Sequence, residues 1–93
     1  MDREDGMKYV VIGTSAGRSM DEIMAVYPRH EVVVRELIDR GEVIGIGPFL
    51  DGGNMAVFRS EAAAEEFVAR DPFRLEGLVE SYEIRQWADE LLS

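Results

Sequence analysis

The sequence predicts an α+β fold of the ferredoxin-like type, with the element order β-α-β-β-α-β. Short β-branched or aromatic runs that favour strands occur at residues 9–12, 43–46, 55–58 and 78–87. Two segments with helical spacing of apolar residues follow the first and the third of these runs. We therefore expect an antiparallel four-stranded sheet with both helices on one face.

The first helix is expected to run to about Arg40. Ser19 or Asp21 can cap its start, because a side-chain oxygen there accepts from the free backbone N–H groups of the first turn. Gly41 follows the last turn, where glycine commonly ends a helix. Pro28 lies inside the segment and lacks the N–H that helical hydrogen bonding needs, so we expect a kink or two helical pieces.

The second half of the chain is bounded by turn and capping residues. Residues 51–54, Asp-Gly-Gly-Asn, join the second and third strands and are typical of a hairpin. Ser60 can cap a second helix over residues 61–70. The fourth strand mixes polar and apolar residues, as an edge strand does, and residues 88–93 form a short tail.

Composition limits the classes of function. The 93 residues fit one domain, residues 7–93, after a frayed tail at residues 1–6. A net charge of −9 argues against nucleic acid or an anionic membrane as a partner, and no apolar run approaches the length of a membrane span. The absence of cysteine excludes disulfides and fits the cytoplasm. A single histidine with scattered carboxylates gives no metal-ligand spacing, so we expect neither a metal nor a cofactor.

The first and third strands predict a homodimer. Both are apolar on both faces; in the first strand, Val10 and Ile12 point to one face while Tyr9 and Val11 point to the other. Two helices can cover only one face, and an exposed apolar sheet surface of this size favours association. We therefore expect two sheets to pack face to face in a dimer.

His30 is the only histidine, and it lies on the apolar side of the first predicted helix. Apolar residues recur along this side at spacings of three and four, as on one helix face: Ile23, Tyr27, Val34, Leu37 and Ile38. A ring that titrates near neutral pH and faces the interior is either a satisfied core residue or the working group of a pocket. The sequence leaves both interpretations open.

Asp71, which follows the second helix, is the best candidate partner of His30. It comes four residues after Phe67, so its carboxylate would follow Phe67 inward if the helix persists. A carboxylate that accepts from one imidazole nitrogen fixes the tautomer and leaves the other nitrogen free as a base. An aspartate before Pro72 equally fits the N-cap of a following helical turn. The two roles do not exclude each other.

Four further residues are candidate substrate contacts. Gly47 and Pro48 would let a ligand or the facing sheet approach the backbone closely. Tyr9 would position a ligand through its hydroxyl if it faces a cavity, and core packing is an equal alternative. Phe73 belongs to the same turn as Asp71.

Three short motifs resemble the YciI-like (YCII-related) family in their order and spacing. They are Pro-Arg-His at residues 28–30, Gly-Pro at residues 47–48 and Asp-Pro-Phe at residues 71–73. The resemblance covers nearly all of the domain. It implies a dimeric α/β barrel built from two ferredoxin-like sheets and a His–Asp active site, here His30 with Asp71.

One branch of that family eliminates chloride from a chlorinated hydroxyhydroquinone. The best-known branch has arginine three residues before the histidine, where this chain has Tyr27. The resemblance therefore implies a small-molecule ligand, and it does not carry anion recognition to that position.

Two functions from different classes follow. One is a small cofactor-independent enzyme, a lyase or an isomerase, that transfers protons on a cyclic or aromatic small molecule. His30 would be its general base or acid, and Asp71 would orient the ring. The alternative is a non-catalytic dimeric module that binds a small ligand or a partner, with His30 structural. The distance between His30 and Asp71, together with a part-apolar cavity beside the ring, distinguishes these hypotheses.

Overall fold

The computed structural model describes residues 7–89 of the chain. The predicted tail at residues 1–6, and residues 90–93 of the predicted C-terminal tail, lie outside the described residues. In chain order the elements are β1 (Met7–Ser15), α1 (Met20–Asp39), β2 (Val43–Pro48), β3 (Asn54–Phe58), α2 (Glu61–Arg70), α3 (Pro72–Leu75) and β4 (Val79–Ala88). None of the described helices is long and apolar enough to span a bilayer.

The four strands form one antiparallel sheet in the order β2-β3-β1-β4. β4 lies at an edge, as its mixed sequence predicts, and the single-turn α3 is added to the predicted order. Both longer helices pack on one face of the sheet, so the predicted ferredoxin-like α+β fold is confirmed. The core between the two layers is apolar and comprises Val11, Val33, Val34, Leu37, Ala56, Phe58, Ala63, Ala64 and Phe67.

The strand register arranges residues in rows across the helix-covered face of the sheet. At one end, Tyr9 of β1 lies opposite Phe58 of β3. Four residues further along β1, Gly13 lies opposite Asn54 of β3 on one side and Tyr82 of β4 on the other. The second row therefore carries polar side chains on both sides of a glycine.

α1 is one continuous helix from Met20 to Asp39, so the expected division into two helical pieces is wrong. Pro28 and Met24 both lie on the exposed side of the helix. The Met24 carbonyl, which finds no N–H at position 28, can therefore be hydrated, and the chain need not break. Ser19, one of the two predicted caps, accepts from the backbone N–H of Glu22 at 3.1 Å.

α2 begins and ends where the sequence predicts. The Ser60 hydroxyl accepts from the backbone N–H of Ala63 at 3.1 Å. Glu66 of α2 pairs with Arg40, the C-cap residue that follows α1, and with Arg70 of its own helix, at 2.7 Å each. These exposed ion pairs connect α2 to the C-terminal end of α1.

The sheet face away from the helices is apolar at its centre. Val10 and Ile12 of β1 are half-buried there, and Met55 of β3 is exposed. A Cβ atom added at Gly45 or Gly47 of β2 would meet no atom within 4 Å. By register these glycines share the face of Met55, so β2 presents bare backbone on that side.

Candidate active site

His30 and Asp71 meet in the interior. His30 comes from the middle of α1, and Asp71 comes from the junction of α2 and α3. His30 Nδ1 lies 2.7 Å from Asp71 Oδ1. The exposed fraction is 8% for His30 and 0% for Asp71. The pairing considered from the sequence is therefore present, and it is shielded from bulk water.

Asp71 also caps the helices on either side of it. Its backbone N–H donates to the carbonyl of Phe67 at 2.9 Å, and its Oδ1 accepts from the backbone N–H of Phe73 at 3.2 Å. Its second carboxylate oxygen accepts from the hydroxyl of Tyr82. The capping role and the pairing role thus coexist. Three donors compensate the removal of this carboxylate from water.

The hydrogen bond to Asp71 determines the tautomer of His30. An ionised carboxylate oxygen can only accept, so Nδ1 carries the proton and donates it to Oδ1. Nε2 is then left with a free lone pair. Within residues 7–89 no group forms a hydrogen bond with this nitrogen. The ring is therefore prepared to accept a proton from a ligand.

Tyr82 and Asn54 extend the hydrogen-bonded cluster to the sheet. Burial, together with the negative charge of Asp71, raises the pKa of Tyr82 far above its usual range, so the hydroxyl remains a donor. Asn54 Nδ2 donates to Tyr82 Oη at 3.3 Å. Asn54 Oδ1 is buried without a partner among the described residues, an arrangement that costs about 1–3 kcal/mol.

Aromatic rings surround the imidazole of His30. Phe73 stacks on it with a centroid distance of 4.1 Å and an interplanar angle of 12°. Phe67 meets it edge-on at 6.1 Å, and Tyr27 lies tilted at 5.7 Å. These contacts restrict the ring to one orientation and keep water away from the Asp71 side.

The single turn α3, which carries Phe73, is attached to α1 by an ion pair. Arg29 Nη2 of α1 donates to Glu76 Oε1 at 3.1 Å. The same pairing holds the pKa of Glu76 below its usual value. Asp71 and Phe73 thus approach His30 on a turn that is joined to the helix of His30 itself.

A cavity of about 480 Å³ adjoins His30 on the open side of α1. This volume lies within the range of small-molecule sites. Its walls are mostly apolar and come from α1, the end of β2, the start of β3 and α3: Met20, Ile23, Met24, Tyr27, His30, Glu31, Val34, Arg35, Ile38, Ile46, Gly47, Pro48, Asn54 and Phe73. The apolar stripe expected on the first helix is therefore divided. Leu37 faces the core, while Ile23, Tyr27 and Ile38 form a wall of the cavity.

Charge in the cavity wall is balanced. Among the described residues of the wall, Glu31 and Arg35 are the only carboxylate and guanidinium, and they pair with each other at 3.5 Å. Tyr27 contributes an aromatic ring, not a cation, one turn before His30. The described part of the wall is thus largely apolar, and its two opposite charges compensate each other. Residues 7–89 contain no group of three or more side chains suited to hold a metal ion.

The family model of the YCII-related domain matches residues 7–88. The chain belongs to the YCII-related family. A solved structure that it resembles is 5-chloro-2-hydroxyhydroquinone dehydrochlorinase (TftG) from Burkholderia phenoliruptrix AC1100, in complex with 2,5-dihydroxybenzoquinone. The TM-score is 0.73 at 18% sequence identity, over 86% of this chain and 92% of that chain, which shows a common fold. No curated protein sequence matches the chain at a significant level.

Three of the four predicted substrate contacts line the cavity of this YCII-related domain, namely Gly47, Pro48 and Phe73. Tyr9 does not. It lies on β1 about 13 Å from Gly13, given the rise of a strand, and its hydroxyl accepts from Gln86 Nε2 at 3.3 Å. Tyr9 packs against the apolar core, which is the alternative that the sequence left open.

Sequence reasoning missed Tyr82 and Asn54 as members of the site. From the sequence, Asn54 is predicted only as part of a hairpin turn, and Tyr82 only as part of an edge strand. Alternation places Tyr82 and Ile84 on one face of β4. Which end of that face meets Asp71 depends on the pairing of β4 with β1, and no local pattern reveals that register.

Proposed function

We propose that this YCII-related domain is a small enzyme that transfers protons on a cyclic or aromatic small molecule, by isomerisation or elimination and without a cofactor. One observation carries the proposal. A buried His30 donates to Asp71 at 2.7 Å while the same ring borders a largely apolar cavity of about 480 Å³. A base held in one tautomer beside a ligand-sized space is the arrangement that general base catalysis requires.

In the proposed mechanism, His30 Nε2 removes a proton from a ring hydroxyl or from a C–H bond next to a carbonyl. The imidazolium that forms is stabilised by the Asp71 carboxylate. In an isomerisation the imidazolium returns the proton to a different atom of the ligand. In an elimination the electron pair of the broken C–H bond forms a double bond, and the leaving group departs with its own pair. Neither path requires more than acid and base groups.

The cavity supports a planar ligand. Phe73 and Tyr27 offer aromatic surfaces, and Gly47 and Pro48 at the end of β2 form part of the opposite wall. The bound compound in the similar dehydrochlorinase structure, 2,5-dihydroxybenzoquinone, is cyclic and hydroxylated. It therefore indicates which compounds to test first on this chain.

We also propose that the enzyme is a homodimer that uses the outer sheet face. Val10, Ile12 and Met55 offer apolar surface there, and Gly45 and Gly47 allow a second sheet to approach β2. Burial of this surface in a dimer removes the association hazard of an exposed apolar sheet. Sedimentation of the purified protein as a species of twice the chain mass would support it, and a monomer at all concentrations would contradict it.

The test of the proposed chemistry compares three proteins on one panel of compounds. Hydroxylated quinones, hydroquinones and lactones are offered to the wild type, to His30→Asn, and to Asp39→Asn as a control at the far end of α1. We expect turnover of at least one compound by the wild type and the control. His30→Asn keeps a donor for Asp71 but loses the base, so its rate should fall about 10²–10⁴-fold.

Binding and catalysis separate in the same experiment when ligand-induced thermal shifts are recorded. A compound that raises the unfolding temperature of the wild type and of His30→Asn equally, and that is never converted, would identify a binding module instead of an enzyme.

The hydrogen bond between His30 and Asp71 is tested separately, by NMR titration of the single histidine. Asp71→Asn should lower the titration midpoint of the His30 ring, because it removes the charge that stabilises the imidazolium.

A further inference from the structure

We propose that Tyr82 and Asn54 are positioning residues for the His30–Asp71 pair, and that residue 13 is glycine because only glycine admits their side chains. That this positioning serves catalysis rests on the proposed function. The hydrogen-bonded geometry that carries it is independent of any reaction.

The three residues occupy one row across the sheet. Gly13 of β1 lies between Asn54 of β3 and Tyr82 of β4. The Asn54 and Tyr82 side chains meet over this glycine, where Nδ2 donates to Oη at 3.3 Å. A Cβ atom at residue 13 would lie 2.0 Å from Asn54 Oδ1 and 2.6 Å from Tyr82 Cε1. Both distances are too short for a real Cβ contact, so any side chain at residue 13 would separate the two groups.

The hydrogen bonds of this cluster run in one direction. Tyr82 has a single hydroxyl proton, and it donates that proton to Asp71 Oδ2. Tyr82 Oη can therefore only accept from Asn54, which determines that Nδ2 of the carboxamide faces the tyrosine. Since Nδ2 donates to an acceptor that is itself a donor, each bond polarises the next toward the Asp71 carboxylate.

The Tyr82 bond determines how Asp71 serves His30. With Oδ2 held by Tyr82, the carboxylate plane is fixed and Oδ1 stays directed at His30 Nδ1. The same bond takes a share of the negative charge that would otherwise act only on His30 and the Phe73 backbone N–H. Burial keeps Tyr82 protonated in this role, since the pKa of its hydroxyl is raised.

Of the two positioning residues, Asn54 is the one that borders the cavity. Its Oδ1 is buried and lacks a partner among the described residues. The carboxamide is therefore held in place by the hydrogen bond that Nδ2 donates to Tyr82. An apolar residue at this position would avoid the unpaired oxygen. The presence of asparagine is accounted for by the bond to Tyr82.

The test uses the single histidine, whose imidazole signals need no assignment against others. Midpoints of the His30 titration are measured by NMR in the wild type, Tyr82→Phe, Asn54→Ala and Tyr9→Phe. Tyr9 is the matched control, because its hydroxyl lies on the same sheet face and contacts Gln86 in place of Asp71. The ionisable residues near His30 or Tyr82 that none of these variants alters are Tyr27, Glu31, Arg35 and Arg74.

We expect Tyr82→Phe to raise the midpoint, because a larger share of the Asp71 charge then acts on the imidazolium. Asn54→Ala should raise it by less, since it only weakens the Tyr82 hydroxyl as a donor. Tyr9→Phe should leave it unchanged. Gly13→Ala, which keeps every donor but displaces two of them, should shift the midpoint in the same direction as Tyr82→Phe.

The outcomes separate this inference from the proposed function. An unchanged or lowered midpoint in Tyr82→Phe, with Asp71→Asn still lowering it, would overturn the positioning role and leave the His–Asp pair in place. If Asp71→Asn also has no effect on the midpoint, the pair itself and the proposed chemistry fail. A shift of equal size in Tyr9→Phe would show a general response to tyrosine loss and would also overturn the inference.

Discussion

The two ends of the helix-covered sheet face are built on different physical principles. At the apolar end, Tyr9 and Phe58 lie opposite each other and pack in the core with Leu37 of α1. At the site end, four residues further along β1, Asn54 and Tyr82 flank Gly13 and lead to Asp71. The strands are continuous between the two ends, so the difference lies in the side chains alone.

Apolar contacts are non-directional, so the apolar end gains stability from any close packing of the right volume. The site end buries a carboxylate, a hydroxyl and an imidazole, and each of these groups needs a partner at a particular angle and distance. We therefore expect the apolar end to supply most of the stability and the site end to contribute less, because its buried polar groups must first be compensated by a fixed arrangement of donors.

The largest expected effect is at the apolar end. Phe58→Ala removes a fully buried ring from the centre of the core, and it should lower the free energy of unfolding by about 3–5 kcal/mol. Urea denaturation measures the loss. The titration midpoint of His30 should stay near that of the wild type under conditions in which the variant is folded.

Phe73→Ala is the matched change at the site end. Phe73 is only half-buried and borders the cavity, so its removal should cost clearly less stability than Phe58→Ala. The His30 ring protons, however, should shift because the stacked aromatic ring is gone. Equal losses of stability in the two variants would contradict the division between the ends.

A smaller effect is expected where α2 starts, close to the apolar end. Ser60→Ala removes the acceptor for the Ala63 N–H and should cost about 1 kcal/mol, measured by thermal or urea unfolding. Ser60→Gly should lower the stability by only a few tenths of about 1 kcal/mol. If Ser60→Ala also moved the His30 midpoint, α2 would transmit changes from one end to the other, and the two ends would not be independent.

The smallest effect concerns the exposed ion pairs between the helices. The Arg40 and Arg70 guanidinium groups lower the pKa of Glu66 from its usual 4.5. Because the folded pKa is lower than the unfolded one, the stabilisation is present above the unfolded value and is lost as the pH falls through the folded value. The unfolding temperature of Glu66→Gln should therefore be slightly lower than that of the wild type at pH 7. As the pH falls into the acid range, the unfolding temperatures of the two proteins should become equal. A gap that persists in acid or in high salt would show that the side chain acts by packing and not by charge.

Local signals predicted much of the fold correctly. Ser19, Ser60 and Gly41 mark helix boundaries through hydrogen bonds or backbone angles that involve only their own neighbours. Of the two outcomes expected at Pro28, a kink or two helical pieces, the division into two pieces is wrong, because α1 is continuous. Whether a proline breaks a helix depends on which side faces water, and that side is set by tertiary packing.

The candidate site was predictable only in part. Asp71 could be placed near His30 because it follows a helix whose inner face is visible in the sequence, and because the motifs resemble those of a known family. The contributions of Tyr82 and Asn54 could not be foreseen, since they depend on the pairing of three strands far apart in the chain. The same register separates Tyr9 from the cavity, although Tyr9 and Tyr82 lie on one face.

Asp71 links the site to a very short helix, and the opening of that helix limits how long the site stays assembled. α3 is a single turn without a buried residue, and the N–H of Phe73 in that turn is held by the Asp71 carboxylate. Local opening of such a turn would release the Phe73 amide to solvent exchange and withdraw the stacked ring from His30 in the same event. We therefore expect the stacked, hydrogen-bonded arrangement of the His30 ring to persist only while this turn is closed, and exchange of the Phe73 amide, measured under conditions in which every opening leads to exchange, would give the opening rate.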